Sequence, residues 1–465
     1  MKIVILGAGA YELAPALLDD LFVQYQTVCD LWIVDDSLDT AELTARAAQS
    51  LARAAALPAR VFYTANPRKA LPDADYVLWC HEAPDAADFA RDLAALDAIG
   101  LGKQARPFGG IGGAMTTLRE GGALADVCEE MTRVCPQAAL IVCSGPVARL
   151  CELAQRSFGV RALGLCRAPY DAAKRCQDLL GLQDAPETPC AGTWGFAWAL
   201  GCTSGGRDCL DQVKERLLQD AAQQRVRDRE RAAEEAKAAD AAKPDADVRG
   251  SLSGLLQPQV KETRADLLSA QYVDWYDALP ASGLEWQMMQ DTPESPRLTQ
   301  LPGVPGEADC ELRLRHLASL AVHGPLKAEG RAALEAMRAS AGPLRPMRLV
   351  HALSGRVPAL YEPGLIRPND GAISCVPDGR FVLLPSVVSG PQLSAQPLPP
   401  FPMALEELLD RVTEANLLYA QAAAFGDRIA LREALEADPA LAGVDLLYAL
   451  DTVDDMVAAS ALPRF

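Results

Sequence analysis

No CxxC pair occurs among the thirteen cysteines, and no cysteine spacing matches a metal finger. Their odd number and single scattering in a long chain argue against a disulfide framework and for thiols used as small core residues in a reducing compartment. No run of about 18 apolar residues is present either, so no membrane-spanning helix is expected. The opening stretch "MKIVILGAGAYELAP" has one lysine and a short apolar run, then glycines and an acid. It does not read as a signal peptide, and a cytoplasmic location is expected. Basic excess is missing as well: 44 Lys+Arg stand against 62 Asp+Glu, for a formal net charge of −18. That balance disfavours non-specific binding to nucleic acid or to an anionic membrane, while leaving room for a local basic pocket and an anionic small substrate. Histidines number four, His81, His316, His323 and His351. Any imidazole at a site must come from these, and His81, at a strand end, is best placed.

What is present is ordinary globular material: 465 residues, 50% hydrophobic, without internal repeats. This length predicts two domains, because single cores stop growing near roughly 250–300 residues. The segment "KIVILGAGAYELAPALLDDL" reads as a buried strand, a glycine turn and a helix. Gly7 and Gly9 occupy the first two places of a dinucleotide fingerprint, where they permit a tight turn and close approach of a pyrophosphate; Ala10 continues the turn, and Glu12 replaces the third glycine. "LWIVDD" supplies a second strand that ends in Asp35 and Asp36. An acid there suits a ribose hydroxyl and disfavours a 2′-phosphate, which points to NAD rather than NADP.

"RVFYTA", "ADYVLWC", "AALIVCSG" and "RALGLC" continue the strands, with helical stretches between them. The alternation predicts an α/β fold, a Rossmann-type doubly wound parallel sheet over residues 1–170. Ligands of such sheets sit beyond the carboxyl ends of the strands. Ser144, Gly145 and the pair Cys166-Arg167 fall at those ends, and Gly112 lies in a glycine-rich loop, "FGGIGGAMTTLRE", whose backbone is suited either to a cofactor or to close packing.

Residues 171–465 read as a C-terminal α+β domain. A charged, exposed helix and loop are expected over about 209–250, and "QDTPESPRLTQLPGVPGEAD" reads as a long loop. Asn369-Asp370-Gly371 and Asp378-Gly379 punctuate two β-like runs in a hairpin pattern. The tail is helical, with Gly426 and Asp427 placed as a C-cap and an N-cap and Asp438-Pro439 as a further boundary.

These segments, taken in order, resemble family 4 of the glycoside hydrolases, within the lactate/malate-dehydrogenase-like superfamily. "KIVILGAGAYELAPALLDDL" is similar to that family's opening, and "GIGGAMTTLRE" to its GPGG…ALR segment. "GLCRAP" is similar to its CNxP, "PNDGAISCVPDGRFVLLP" to its late hairpin, and "EANLLYAQAAAFGDRIALREALEADP" to its helical ending. The resemblance implies a C-terminal domain of the lactate-dehydrogenase-like type and a homo-oligomer. It also implies NAD, with Gly7, Gly9, Ala10, Asp35, Asp36, Gly112 and Ser144 as the cofactor side. A sugar or glycoside is then the substrate, with Arg91, Gly145 and Asn369 on its side, cleaved by C3 oxidation, elimination and water addition.

The resemblance further implies a divalent metal, usually manganese, held by the cysteine of CNxP, here Cys166, and by a histidine. In "CAGTWGFAWAL", however, the histidine position is Gly195. Arg167 replaces the asparagine of CNxP, Gly145 replaces the asparagine of TNP, and the place of the family's tyrosine base falls near Gly283 or Leu284. The metal site therefore reads as degenerate. Arg167 keeps two readings, a fixed positive charge at the reacting centre or a partner of Asp171; Cys166 is either a buried thiol or a ligand or nucleophile. Tyr272 and Tyr276 are candidates for the lost base, and Trp275 and Trp286 for stacking on a sugar. An active glycosidase, a metal-independent sugar oxidoreductase or lyase, and a non-catalytic NAD-binding relative all stay open.

Overall fold

The computed structural model describes residues 1–9, 13–81, 86–241, 261–292, 295–298, 307–460, 462 and 464. Six strands, β1 (Lys2–Leu6), β2 (Asp30–Val34), β3 (Arg60–Thr64), β4 (Tyr76–Trp79), β5 (Ala139–Val142) and β6 (Ala162–Leu165), pair in parallel in the order 3-2-1-4-5-6. This is the order of doubly wound nucleotide-binding sheets. Alternate residues of each strand serve opposite faces: Val4, Leu6, Val77 and Trp79 join one core, Ile3, Ile5 and Leu78 the other. Helices cover both faces, which is why these strands are nearly continuous apolar runs.

The sheet continues past residue 170. After the hairpin β7 (Cys190–Thr193) and β8 (Phe196–Ala199) come a small ribbon, β9 (Thr203–Ser204) with β10 (Arg207–Asp208), and then β11 (Leu279–Pro280), β12 (Leu360–Pro368), β13 (Phe381–Ser389) and β14 (Gln392–Ala395). β12 adds antiparallel to β6, with Leu365 opposite Leu165, and the order runs on through β13, β7, β8 and β11. The architecture is thus α/β, a parallel half extended by an antiparallel half. The expected hairpin is the β12–β13 pair. The charged helix is Leu210–Ala241, and the remainder of the 209–250 expectation lies outside the described residues, as does part of the 290–309 loop.

The helical tail consists of Met403–Phe425, Arg428–Ala437 and Leu446–Ser460. Gly426 closes the first helix at φ +66°, and the Asp427 carboxylate accepts from the N–H groups of Ile429 and Ala430 at the start of the second. All thirteen cysteines are free thiols. No helix among the described residues is long and apolar enough to cross a membrane.

Where the helix Ala14–Asp19 passes into a π-turn, Asp19 and Asp20 are buried and face Arg338 and Arg345. One oxygen of Asp20 has no hydrogen-bond partner, and burial pushes its carboxyl up to about 6, against the opposing pull of Arg345. An acid whose folded value is raised destabilises the fold only when ionised. Its cost is therefore absent below about pH 4, grows between about pH 4 and 6, and is complete above that. Asp20→Asn is expected to be thermally less sensitive than the parent as pH rises from 4 to 7, with a differential of order 2 kcal/mol. Melting temperatures across that range check it, and parallel profiles would contradict it.

Candidate functional site

The site is built on the carboxyl ends of β1, β2, β4, β5 and β6. Gly7 leaves β1 at φ +79°, donating its N–H to Val34 O at 3.0 Å. A Cβ there would stand 2.7 Å from the backbone N of His81, so the turn admits glycine alone. Gly9 N–H donates to Asp35 Oδ2 at 2.7 Å, and Asp35 Oδ1 accepts from Ser37 N–H at 3.0 Å. Asp35 thus shapes the turn as well as ending β2, while Asp36 is exposed beside it. A bare glycine turn with an acid at the next strand end fits a dinucleotide. Ala10 lies outside the described residues.

At the end of β4 the His81 ring stacks on Trp79 at 4.1 Å, and burial pushes it below the usual histidine range. Ser144 Oγ donates to His81 O, tying the ends of β5 and β4 together, and Gly145 turns at φ +77°. His351 is a core residue, stacked on Tyr25 and bonded to Thr27 Oγ1 at 2.9 Å.

The glycine-rich loop ends in the helix Gly110–Val134, and its surroundings are specific. A Cβ on Gly112 would lie 2.7 Å from Arg106 O, so this glycine serves close packing of helix on loop. Arg149 is 1% exposed and grips the loop: its guanidinium donates to Phe108 O at 3.0 Å, Gly113 O at 2.9 Å, Thr117 Oγ1 at 2.8 Å and Asn416 Oδ1 at 2.8 Å. It lies over the Tyr419 ring, and the Tyr419 hydroxyl and Gly110 N–H both donate to Asp438 Oδ2, at 3.1 and 3.0 Å. The C-terminal tail therefore holds the loop from behind.

At the end of β6 the Cys166 N–H donates to Gly364 O at 2.8 Å. Its thiol is buried, and burial pushes it up to about 12, so it stands as a thiol and not as the low-pKa thiolate that reactivity requires. Arg167 is half exposed and donates from Nε to Asp171 Oδ2 at 3.1 Å. The ion pair with Asp171 is thus present.

The histidine position of the resemblance, Gly195, has no room for a side chain. It sits at φ +79°, and a Cβ would meet Met288 Sδ at 2.7 Å and Phe108 Cβ at 3.2 Å. Among the described residues no three His, Cys, Asp or Glu groups converge as a metal site. One protonated soft ligand does not fit a manganese ion, which takes oxygen and imidazole donors.

Two substrate-side expectations meet other geometry. Arg91, on the helix Ala86–Ala98, pairs with Asp88 at 2.8 Å. Asn369 is buried, and its amide is spent inside its own loop: Nδ2 donates to Ile373 O at 3.0 Å and Val376 O at 2.7 Å, and Oδ1 accepts from Ile373 N–H at 3.1 Å. The amide organises the turn between β12 and β13. Tyr272 is buried with its hydroxyl unpartnered, and burial raises its pKa, as it does that of Tyr276. Trp286 is buried under Arg106, a packing role, while Trp275 is exposed.

Sequence reasoning misses one residue. Glu285, in the short 3₁₀ turn Glu285–Met288, is 1% exposed. Its Oε1 accepts from Ser282 N–H and Oγ–H, both at 2.9 Å, while Oε2 has no partner. Burial raises its pKa, and it lies near enough to Cys166 and Cys190 to raise theirs. Ser282-x-x-Glu285 is the spacing of a capping box, the one signal in the sequence that marks it.

The profile described as family 4 glycosyl hydrolase matches residues 2–182, and that of the family's C-terminal domain matches residues 190–441. The chain belongs to the family 4 glycosyl hydrolases. A 6-phospho-beta-glucosidase of Escherichia coli strain K12 is 27% identical over 195 residues, 40% of this chain and 42% of that protein. The matched stretches span a quarter to a half of the curated relatives' lengths. Among solved structures, a 6-phospho-alpha-glucosidase from gut microorganisms, in complex with NAD and glucose-6-phosphate, is 18% identical, with a TM-score of 0.68 over 99% of this chain and 98% of that one. A 6-phospho-beta glucosidase from Thermotoga maritima, with manganese, NAD+ and glucose-6-phosphate, is 14% identical, with a TM-score of 0.67 over 99% and 98%. At such identities the likeness establishes the fold.

Proposed function

We propose that the protein is an NAD-dependent glycosidase acting on O-glycosides, 6-phospho-glycosides among them, through C3 oxidation, elimination and water addition, with no cation held at Cys166. Residues 1–170 carry the cofactor, residues 171–465 complete the sugar side, and the protein works as a homo-oligomer in the cytoplasm. The observation that supports this most is the bare Gly7–Gly9 turn with Asp35 bonded across it, in a chain of this family. Bound NAD⁺ supplies a hydride acceptor for C3 of the sugar. The chain's own part is to hold it: the glycine turn, bare of side chains, lets the pyrophosphate approach the backbone, with Asp35 and Asp36 toward ribose hydroxyls and Ser144 at the end of β5.

Calorimetric titration with NAD⁺ and NADP⁺, followed by turnover of nitrophenyl glycosides and their 6-phosphates with and without chelator, tests the reading. Binding of NAD⁺ in preference to NADP⁺ and chelator-insensitive release of nitrophenol are expected. Stimulation of chelator-stripped protein by manganese would refute the metal-free centre. The closed Gly195 position also favours a second reading, a relative that binds NAD without catalysis; tight NAD⁺ binding with no turnover on any glycoside would decide for it. Asp35→Ala is expected to weaken NAD⁺ about 10- to 100-fold, the worth of a charged hydrogen-bonding group, and an unchanged titration would remove Asp35 from the cofactor site.

A further inference from the structure

Where β4, β5 and β6 begin, at the end of the sheet opposite to His81 and Ser144, a cleft of about 370 Å³ opens. Its volume is within the range of small-molecule sites, about 300–1,000 Å³. Tyr76, the first residue of β4, lines it, and His81 follows five residues later along an extended run, about 16 Å away. The cleft is thus separate from the cofactor turn. Two arginines line it from different parts of the chain: Arg161 stands just before β6, and Arg356 in the turn after the helix Pro346–Leu353.

Both arginines are exposed, and neither is ion-paired with a described carboxylate. Arg161 spends one long hydrogen bond, 3.4 Å, on Pro391 O. Both guanidinium groups lie close enough to the Tyr76 phenol to act on its charge. The chain carries 62 acids, yet Asp75 is the one carboxylate among the described lining residues, and its Oδ2 accepts from Lys2 N–H at 2.7 Å. The cleft therefore keeps a positive balance on an acidic protein. Bare carbonyls at a helix end would repel an anion, but here Val350 O, His351 O and Ala352 O accept from the N–H groups of Ser354, Arg356 and Gly390, at 2.9, 3.0 and 2.9 Å. We infer that this cleft binds a small phosphate monoester, its phosphate held between Arg161 and Arg356 and its hydroxylated body against Tyr76, Gln137 and Ser354. A phosphate offers three terminal oxygens to two planar donor forks, where a carboxylate offers two. The neutral polar groups beside the arginines suit hydroxyls better than an apolar body. Arg161 belongs to the parallel half of the chain and Arg356 to the later half, so the bound anion bridges them and stabilises the folded protein by mass action.

Calorimetric titration of the full chain with glycerol 3-phosphate, and with inorganic phosphate beside it, tests the site. Saturable binding of one ester per chain is expected, tighter than that of inorganic phosphate. Arg161→Gln and Arg356→Gln should each weaken it about 10- to 100-fold, the worth of a charged hydrogen bond. Both arginines are exposed, so each variant should melt like the parent in the absence of ligand and bind NAD⁺ as the parent does. Arg216→Gln, on the exposed helix Leu210–Ala241, changes the net charge equally and should leave the titration as it is. A parent that does not take up the ester, or ester binding that survives either cleft variant, overturns the inference. So does an equal loss in Arg216→Gln, which would trace the binding to overall charge. Inorganic phosphate bound as tightly as the ester would overturn the assignment of a monoester.

Discussion

Arg149→Leu is expected to destabilise the protein by about 3–5 kcal/mol and to loosen the loop that precedes the helix Gly110–Val134. The replacement is apolar and fits the buried space, so the loss comes from what it leaves behind. Phe108 O and the buried Asn416 Oδ1 each lose their guanidinium donor, while Gly113 O keeps the Thr117 hydroxyl at 2.7 Å. Each unsatisfied buried group costs about 1–3 kcal/mol, and relief from burying a charge returns only part of the sum. Arg149→Lys keeps the charge but gives up the planar fork, so it should fall between the two. Tyr419→Phe removes only the 3.1 Å bond to Asp438 and should cost about 1 kcal/mol. Urea unfolding of the three variants orders these losses, with hydrogen exchange at residues 108–113 reporting on the loop. A Leu variant as stable as the parent would show that the network is incidental.

Much of the frame is legible in the sequence. The β1 strand, its glycine turn and Asp35 are marked by local chemistry: an apolar run, glycines where no Cβ fits, and an acid at the next strand end. The Gly426-Asp427 caps are equally local. The remainder is non-local. Arg149 draws its meaning from Phe108 and Asn416, the latter 267 residues away, and nothing in "GPVARLCE" announces those partners. Glu285 becomes notable only when folding buries it without an ion pair. Likeness of motif places Asn369 with the substrate, yet it does not say which way an amide points, and here the amide points into its own turn. The same holds for Gly112, whose missing Cβ serves Arg106 O. For Arg167, four residues before Asp171 on one helical turn, i,i+4 spacing already allows the ion pair that the structure shows.

Gly195→His, the change that restores the histidine position of the family resemblance, is expected to destabilise the protein by about 2–5 kcal/mol and to create no manganese site. A non-glycine residue at φ +79° pays roughly 1–2 kcal/mol for the left-handed backbone. Its Cβ then meets Met288 Sδ at 2.7 Å and Phe108 Cβ at 3.2 Å, and overpacking of this kind costs about 1–3 kcal/mol more. Even with a tolerated imidazole, the other ligand the resemblance implies, the Cys166 thiol, is pushed up to about 12 and must give up its proton before it can bind a metal. Combining the change with Met288→Ala frees the Cβ position without altering the backbone, so the double variant should recover the packing part of the loss and not the backbone part. Thermal unfolding of the single and double variants separates the two costs, and calorimetric titration with Mn²⁺ reads the site. Tight Mn²⁺ binding by Gly195→His alone, lost again in Cys166→Ser, would show that Met288 yields and that the centre is closed by sequence drift alone, not by its packing.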